Sequence, residues 1–238
     1  MAAVAIFCPN SINILAGVNG VEVGQSIIIA LMIILNDCFY IMKPRHPATD
    51  SHLFSLYFLL PFLGVSLALL LHNWYPSKVF VGDTYCYFAG MVFAVVGILG
   101  HFSKTLLLLL IPQIFNFIYS SPQLFRLVPC PRHRLPHFNV KTGLLEPSRA
   151  QFVKPPSRPV AMALKLLKKL RLIELWTNNQ DEPVECTNLT ILNLWLVMFG
   201  PMREDKLTMG IMGLQAVAGL LGLLVRHRLA LLVFAQDN

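Results

Sequence analysis

The sequence predicts an all-α, polytopic transmembrane helical bundle of about five spans, with a cytosolic loop subdomain between the last two. Three observations predict it. The chain is 55% hydrophobic and only 13% charged, too little charge to cover a soluble domain of this size, and its mean hydropathy is +0.62. Its apolar residues come in long runs rather than in alternation, and its positive charge is concentrated in one stretch between two of those runs.

A bilayer core about 30 Å thick takes roughly 20 helical residues to cross. The expected spans are Val21–Met42, Leu53–Leu71, Tyr85–Gly100, Leu106–Tyr119 and Leu207–Val225. The third and fourth are short, but helices extend into flanking residues or end in protein-lined cavities. Ile191–Gly200 holds ten apolar-rich residues and is expected to lie on the surface or pack in a loop domain. The expected division is transmembrane helices with their cytosolic loops over 1–125, a basic cytosolic subdomain over 126–206, and a last span and tail over 207–238. Ala2–Cys8 is too short for a signal core or a span and has no basic segment before it. It is expected to be the last two turns of a helix begun upstream, so the chain is expected to be a fragment or a truncated isoform. Cys8, Cys38, Cys86, Cys130 and Cys186 include no CxxC pair, so free, mostly buried thiols are expected rather than a zinc site or a disulfide framework.

The net charge of +7 is uneven, with eleven Lys and Arg against two acids between Ser120 and Gln180. Such an excess marks the cytosolic side. Two spans separate Pro9–Gly20 from His72–Thr84, and two more separate that loop from the basic stretch, so all three share the cytosolic face. Lys43, Arg45, Arg226 and Arg228 oppose this, four charges against eleven. Within the basic stretch Pro147–Pro159 holds four prolines and reads as an extended connector. Val160–Trp176 reads as an amphipathic helix, suited either to an anionic leaflet or to packing inside a small subdomain. Asn188-Leu189-Thr190 is a glycosylation sequon that this topology keeps in the cytosol, unmodified.

Three polar clusters fall on the cytosolic face. The first, Pro9–Gln25, holds Asn10, Asn13, Asn19, Glu22 and Gln25 in a stretch expected to end one helix and begin another. Asn10 and Asn13 are three apart and share a side if helical, while Gly17 and Gly20 permit a tight turn or close ligand approach. Helix capping explains part of this, but five such side chains at a membrane boundary exceed what capping needs. The second, Asn73–Thr84, carries Asp83, the sole acid between Asp50 and Glu146. A carboxylate there needs a cation, and Mg²⁺, which takes one or two protein oxygens and completes its shell with water and phosphate, is suitable. Asp83 also suits the N-cap of the next helix. The third, Pro129–Pro136, sets Arg132, His133 and Arg134 between prolines, as a phosphate-gripping loop or as a basic turn that fixes topology. His72 and His101 read as interfacial and loop histidines. No Ser-His-Asp set, P-loop or GxGxxG turn occurs, and polar residues gathered at one face argue against a transporter or channel.

The segments NSINILAGVNGVEVGQS, HNWYPSKVFVGDTYCYFAGM, VVGILGHFSKT and CPRHRLP, in this order, resemble the eukaryotic UDP-N-acetylglucosamine–dolichyl-phosphate N-acetylglucosaminephosphotransferases of the polyprenyl-phosphate sugar-1-phosphate transferase superfamily. The likeness runs from Asn10 to Gly143 and is looser beyond. It implies an enzyme of the endoplasmic reticulum membrane, active on its cytosolic face. That enzyme would move N-acetylglucosamine 1-phosphate from UDP-N-acetylglucosamine to dolichyl phosphate with release of UMP, the first committed step of N-glycan precursor assembly. By the same resemblance Asn13 and Asp83 hold Mg²⁺ and serve as the catalytic pair. Gly17, Asn19, Arg132, His133 and Arg134 bind UDP-N-acetylglucosamine. Ile6, Phe7, Cys8, Pro9, Asn10, Ser11, Ile12, Asn13 and Ile14 wall the dolichyl phosphate groove. The implied partners are the two substrates and the lipid bilayer, with no nucleic acid; a homodimer is compatible with the sequence. The family has about ten spans, and its N-terminal part carries an Asp-Asp pair, a lysine at the lipid phosphate and a nucleotide loop. This sequence has no Asp-Asp, so the resemblance implies a C-terminal part, inactive alone. The alternative is a non-catalytic truncated isoform that binds or regulates the full-length enzyme.

Overall fold

The computed structural model describes residues 1–43, 47–153, 155–178 and 182–229. Two compact units divide the chain, one of Met1–Ile114 with the chain from Thr208 onward, the other of Phe115–Leu207. Each is described by itself.

The first unit is helical: α1 (Ala2–Ile14), α2 (Val21–Ile41), α3 (Thr49–Asn73), α4 (Gly82–Leu99), α5 (Ser103–Leu109), the start of α6 (Ile111–Leu124) and most of α9 (Glu204–Leu224). Among the described residues four helices are long and apolar enough to cross a membrane: α2, α3, α4 and Glu204–Arg228. The pair α5 and α6 meets the same standard jointly but is bent by 67°, as a broken span or a re-entrant loop; counted as one span it brings four to the expected five. Pro112, the second residue of α6, explains the bend, because it lacks an N–H and its ring crowds the carbonyl one turn back.

A break inside a membrane frees backbone groups that no water can reach, and buried glutamines take them up here. Gln215 Nε2 donates to the Leu109 carbonyl at 2.8 Å. Gln113 Nε2 donates to both Gln215 Oε1 (2.7 Å) and Gln25 Oε1 (2.8 Å). Gln25 Nε2 in turn reaches the Leu15 carbonyl (2.9 Å) and the Ile12 carbonyl (3.3 Å) at the end of α1. Three amides thus join α1, α2, α6 and α9.

Helix α1 runs past the expected end at Cys8, so Asn10 and Asn13 stand on a helix and not in a loop. Pro9 lies inside it, and Asn10 Nδ2 bonds the Ile6 carbonyl (2.7 Å) while Ser11 Oγ bonds that of Cys8 (2.9 Å). Helix α1 packs along α4, backbone against backbone: a Cβ on Gly90 would lie 2.3 Å from Pro9 Cα and 2.7 Å from the Cys8 carbonyl carbon. Ile12, Ile29, Leu59, Phe93 and Leu106 are central to the apolar core.

Helices α2 and α3 are joined by a buried polar pair that the sequence analysis missed. His52 Nδ1 lies 2.6 Å from Asp37 Oδ1, and Ser55 Oγ donates to Asp37 Oδ2. The His52 ring stacks on Tyr40 at 4.3 Å and on Phe102 at 5.5 Å. The signal was an acid inside an apolar run. It is a costly placement that calls for a partner.

The second unit contains two small antiparallel sheets, where the sequence analysis expected helix and connector. Strands β1 (His137–Asn139) and β2 (Leu144–Glu146) form a hairpin, and β3 (Arg149–Gln151), β5 (Pro183–Thr187) and β4 (Leu175–Thr177) form a sheet in the order β3-β5-β4. The expected connector Pro147–Pro159 therefore contains a strand. The expected helix Val160–Trp176 is α7 (Arg158–Lys169) only. Arg171 adopts a positive φ of 57°, and the chain then pairs as β4. Val160, Leu164 and Leu167 of α7 pack on a core of Val128, Ala150, Ile173, Leu175, Cys186 and Leu189. Helix α8 (Ile191–Phe199) has nine residues, too few to cross, and packs in this unit with Ile191, Leu192, Asn193, Leu194 and Leu196 buried.

Two predictions follow from packing. Gly90→Ala drives a methyl into Pro9 backbone and is expected to cost about 1–3 kcal/mol or more, seen as a lower midpoint of thermal unfolding in detergent. Gly24→Ala, whose Cβ would have as its three nearest neighbours atoms of the flexible Met212 side chain, at 2.7–3.2 Å, able to move aside, is expected to cost less than Gly90→Ala. Among the cysteines, all free, Cys130 is exposed and Cys186 buried, and burial pushes the Cys186 thiol up to about 12. Because the thiolate is the reactive form, maleimide at pH 7.5 is expected to label Cys130 within minutes and Cys186 only after denaturation, as read by peptide mass spectrometry.

Candidate active site

In the first unit the site forms where α1 ends and α4 begins. Gly82, with φ of 67°, turns the chain into α4. Val81 takes the N-cap position and Asp83 stands in the first turn, where a carboxylate complements the helix dipole. Asp83 is thus not the cap itself. Asn13 Nδ2 donates to Asp83 Oδ1 at 2.7 Å, so residues 70 positions apart meet. Asp83 is exposed and Asn13 half-buried.

Two glycine-hinged loops frame the pair. Gly17 (φ 107°) donates its N–H to Glu22 Oε1 at 2.8 Å, and Gly20 (φ 84°) donates to Asn73 Oδ1 at 2.8 Å. Asn73, 2% exposed, also holds the Val79 carbonyl through Nδ2 at 2.9 Å, so one amide ties the α1–α2 loop to the α3–α4 loop. Thr208 Oγ1 anchors the Asn19 carbonyl at 2.8 Å. Gly17 is exposed and Asn19 half-buried. His72 and His101 are exposed and stand apart from these contacts.

Of the nine residues expected to wall a lipid groove, Cys8, Pro9, Ser11 and Ile12 are buried and face the core. Ile6 and Asn10 are exposed, and Phe7, Asn13 and Ile14 are half-buried. Ile6, Asn10 and Asn13 are spaced by four and three and so line one face of α1, apolar at one end and polar near Asp83.

Among the described residues no group of three or more His, Cys, Asp or Glu converges as a metal cage. Asp83 and Asn13 together offer hard oxygen donors, the small protein share that Mg²⁺ takes when phosphate and water complete its shell. The donor set fits that ion.

In the second unit the Pro129–Arg134 loop is held at both ends by buried amides. Gln123 Nε2 donates to the Pro129 carbonyl (2.9 Å) and to Asn188 Oδ1 (2.8 Å). Asn193 Nδ2 donates to the Arg134 carbonyl (2.9 Å), and Asn193 Oδ1 accepts from the Ser148 N–H (2.8 Å). Asn188 Nδ2 closes the network on Ser148 Oγ at 2.8 Å. Arg132 and His133 are exposed and Arg134 is half-buried. Arg134 Nη1 is buried and, among the described residues, has no hydrogen-bond partner. A buried guanidinium N–H left unbonded is unfavourable, and an anionic oxygen would satisfy it. The sequence analysis missed Gln123, Asn188 and Asn193 as supports. The only local hint was Asn188 inside the sequon, which is 1% exposed and committed to the network.

Asn193→Ala strands the Ser148 N–H and leaves the Arg134 carbonyl only the longer contact from Ser148 Oγ at 3.3 Å. It is expected to destabilise the unit by about 1–3 kcal/mol and to speed amide hydrogen exchange across 130–136. Arg132→Ala, whose side chain is exposed, is expected to leave that exchange unchanged.

Residues 1–101 match the family model described as glycosyl transferase family 4. The whole chain is 59% identical, over 243 residues and 54% of the relative, to the UDP-N-acetylglucosamine–dolichyl-phosphate N-acetylglucosaminephosphotransferase of Schizosaccharomyces pombe. It is 60% identical over 239 residues to the protein of the same name from Saccharomyces cerevisiae, again across 100% of the chain and 53% of the relative. The Dictyostelium discoideum protein of that name is 45% identical over 94% of the chain and 48% of its own length. Residues 1–101 are thus similar to glycosyl transferase family 4, and the chain is similar over 94–100% of its length to these named phosphotransferases, spanning about half the length of the curated relatives it matches.

Proposed function

We propose that this chain contributes one part of a membrane phosphotransferase that moves N-acetylglucosamine 1-phosphate from UDP-N-acetylglucosamine to dolichyl phosphate and releases UMP, at the cytosolic face of the endoplasmic reticulum. This would be the first committed step of N-glycan precursor assembly. The observation that carries the reading is the Asn13–Asp83 contact at 2.7 Å, in a segment that matches glycosyl transferase family 4. The names of the relatives supply the two substrates.

Phosphoryl transfer asks little covalent chemistry of a protein. It asks for two substrates in line and for cations against the charge that spreads in the transition state. Asp83 and Asn13 would hold Mg²⁺, which when bound neutralises charge on the donor diphosphate. Arg134 Nη1 supplies a donor that no described protein group uses, suited to a diphosphate or sugar oxygen, with Arg132 and His133 beside it in sequence. The Ile6–Asn10–Asn13 face would lay the polyprenyl tail along apolar surface with its phosphate toward the amides. Gly17 and Asn19, on the loop anchored by Glu22, Asn73 and Thr208, would meet the uridine.

The test is UMP release from UDP-N-acetylglucosamine with dolichyl phosphate and Mg²⁺ in nanodiscs. It is run on this chain alone and on a chimera in which the chain replaces its matching segment of the Saccharomyces cerevisiae relative. The chimera is expected to turn over and the chain alone is not. Asp83→Asn in the chimera is expected to lower kcat by about 10²-fold or more, the scale of losing one electrostatic stabiliser, and to abolish the Mg²⁺-dependence of UDP-N-acetylglucosamine binding. A fully active Asp83→Asn chimera would refute the assignment. An inactive chimera whose chain co-purifies with the tagged relative would favour the second reading, a non-catalytic partner of the longer enzyme.

A further inference from the structure

Helix α7 has two faces with different surroundings. Val160, Leu164 and Leu167 pack on the core of the second unit. On the other side Met162, Leu166 and Leu170 are 72%, 58% and 58% exposed, and their spacing of four makes them one apolar stripe. Arg158, Lys165 and Lys169 are exposed beside it, each three or four residues from a stripe member. Lys168 bonds the Leu175 carbonyl through Nζ at 2.9 Å. No acid occurs between Arg158 and Lys169.

We infer that this face of α7 rests on the anionic surface of a phospholipid leaflet, as a membrane-docking site separate from the candidate active site. Two observations select this occupant. The first is charge: an apolar stripe edged by three cations, without acids on the helix, complements acidic headgroups above an acyl interior. Arg and Lys stems can lie along apolar surface with their heads at the phosphates. The second is connectivity. The chain enters this unit through the α5–α6 pair and leaves through α9, both apolar and long enough to cross a bilayer. Covalent tethering at both ends holds α7 at high effective concentration beside the membrane surface. A water-exposed row of three large apolar side chains is then covered without a protein partner.

The test uses the full chain in nanodiscs, in a Cys38→Ser, Cys130→Ser background, with an environment-sensitive fluorophore placed by Leu166→Cys or, in a second protein, Met162→Cys. Thr177→Cys, on β4, is the control position. In discs of phosphatidylcholine with 30% phosphatidylserine, both α7 labels are expected to shift to the blue, resist iodide and be quenched by nitroxide-bearing lipid. In pure phosphatidylcholine the effects weaken by roughly fivefold per cation lost from the attraction, and the control label does not change. Lys165→Glu with Lys169→Glu is expected to erase the difference between the two discs, and Lys165→Gln with Lys169→Gln to halve it or more, with thermal unfolding checked for each. Equal iodide access in both discs overturns the inference. So does protection that persists in detergent or in both discs without nitroxide quenching, because that pattern means a protein surface covers the stripe.

Discussion

A bilayer offers a broken helix no water, and most of the first unit's polar architecture answers that constraint. Several of the places where a helix stops carry an amide side chain on the freed backbone. Gln25 serves the end of α1 and Gln215 the break before α6, with Gln113 between them. Asn73 serves both loops that follow α1 and α3. The Asn13–Asp83 contact lies among these endings, where α1 stops and α4 starts. Chemistry can be placed there because the carbonyls freed at these endings are taken up by side-chain amides, even though the buried Gln113 Oε1 and Asn36 Nδ2 have no hydrogen-bond partner among the described residues. The close approach of α1 to α4 adds the second condition, since only a glycine at position 90 lets Pro9 come so near.

The spans were legible because a membrane crossing writes itself as continuous apolar sequence. What was not legible depended on pairing across distance. Helix α1 looked like a short end followed by a loop, since Pro9 and two asparagines resemble a helix terminus. The helix continues through them because Asn10 and Ser11 bond the carbonyls of the preceding turn. The strands of the second unit have three to five residues, too short for alternation to show. The sheet they form joins Arg149 to Thr187, a separation that no local pattern announces. Val160–Trp176 read as one helix because its apolar and basic residues kept helical spacing beyond Lys169, where Arg171 turns the chain toward β4.

The polar clusters show the same division. Asn13, Asp83 and the Pro129–Pro136 loop stood out as dense local groups of unusual side chains. The residues that hold them did not: Gln123 and Asn193 clamp the two ends of the arginine loop from opposite sides in sequence, and Asn73 reaches Gly20 over a separation of 53 residues. Asp37 and His52 escaped notice for the same reason. Each lies in or beside an apolar run, and only the α2–α3 hairpin reveals that they are partners.

Asn188 shows how a sequence tag can mislead about the sidedness of a membrane protein. Its amide nitrogen is spent on Ser148, its oxygen on Gln123, and almost none of its surface meets solvent. An oligosaccharide there would need that nitrogen and space that the folded unit lacks. Silence at this sequon would therefore be expected in either compartment and would say nothing of orientation, whereas a sugar found on it would mark molecules caught before, or diverted from, the native fold.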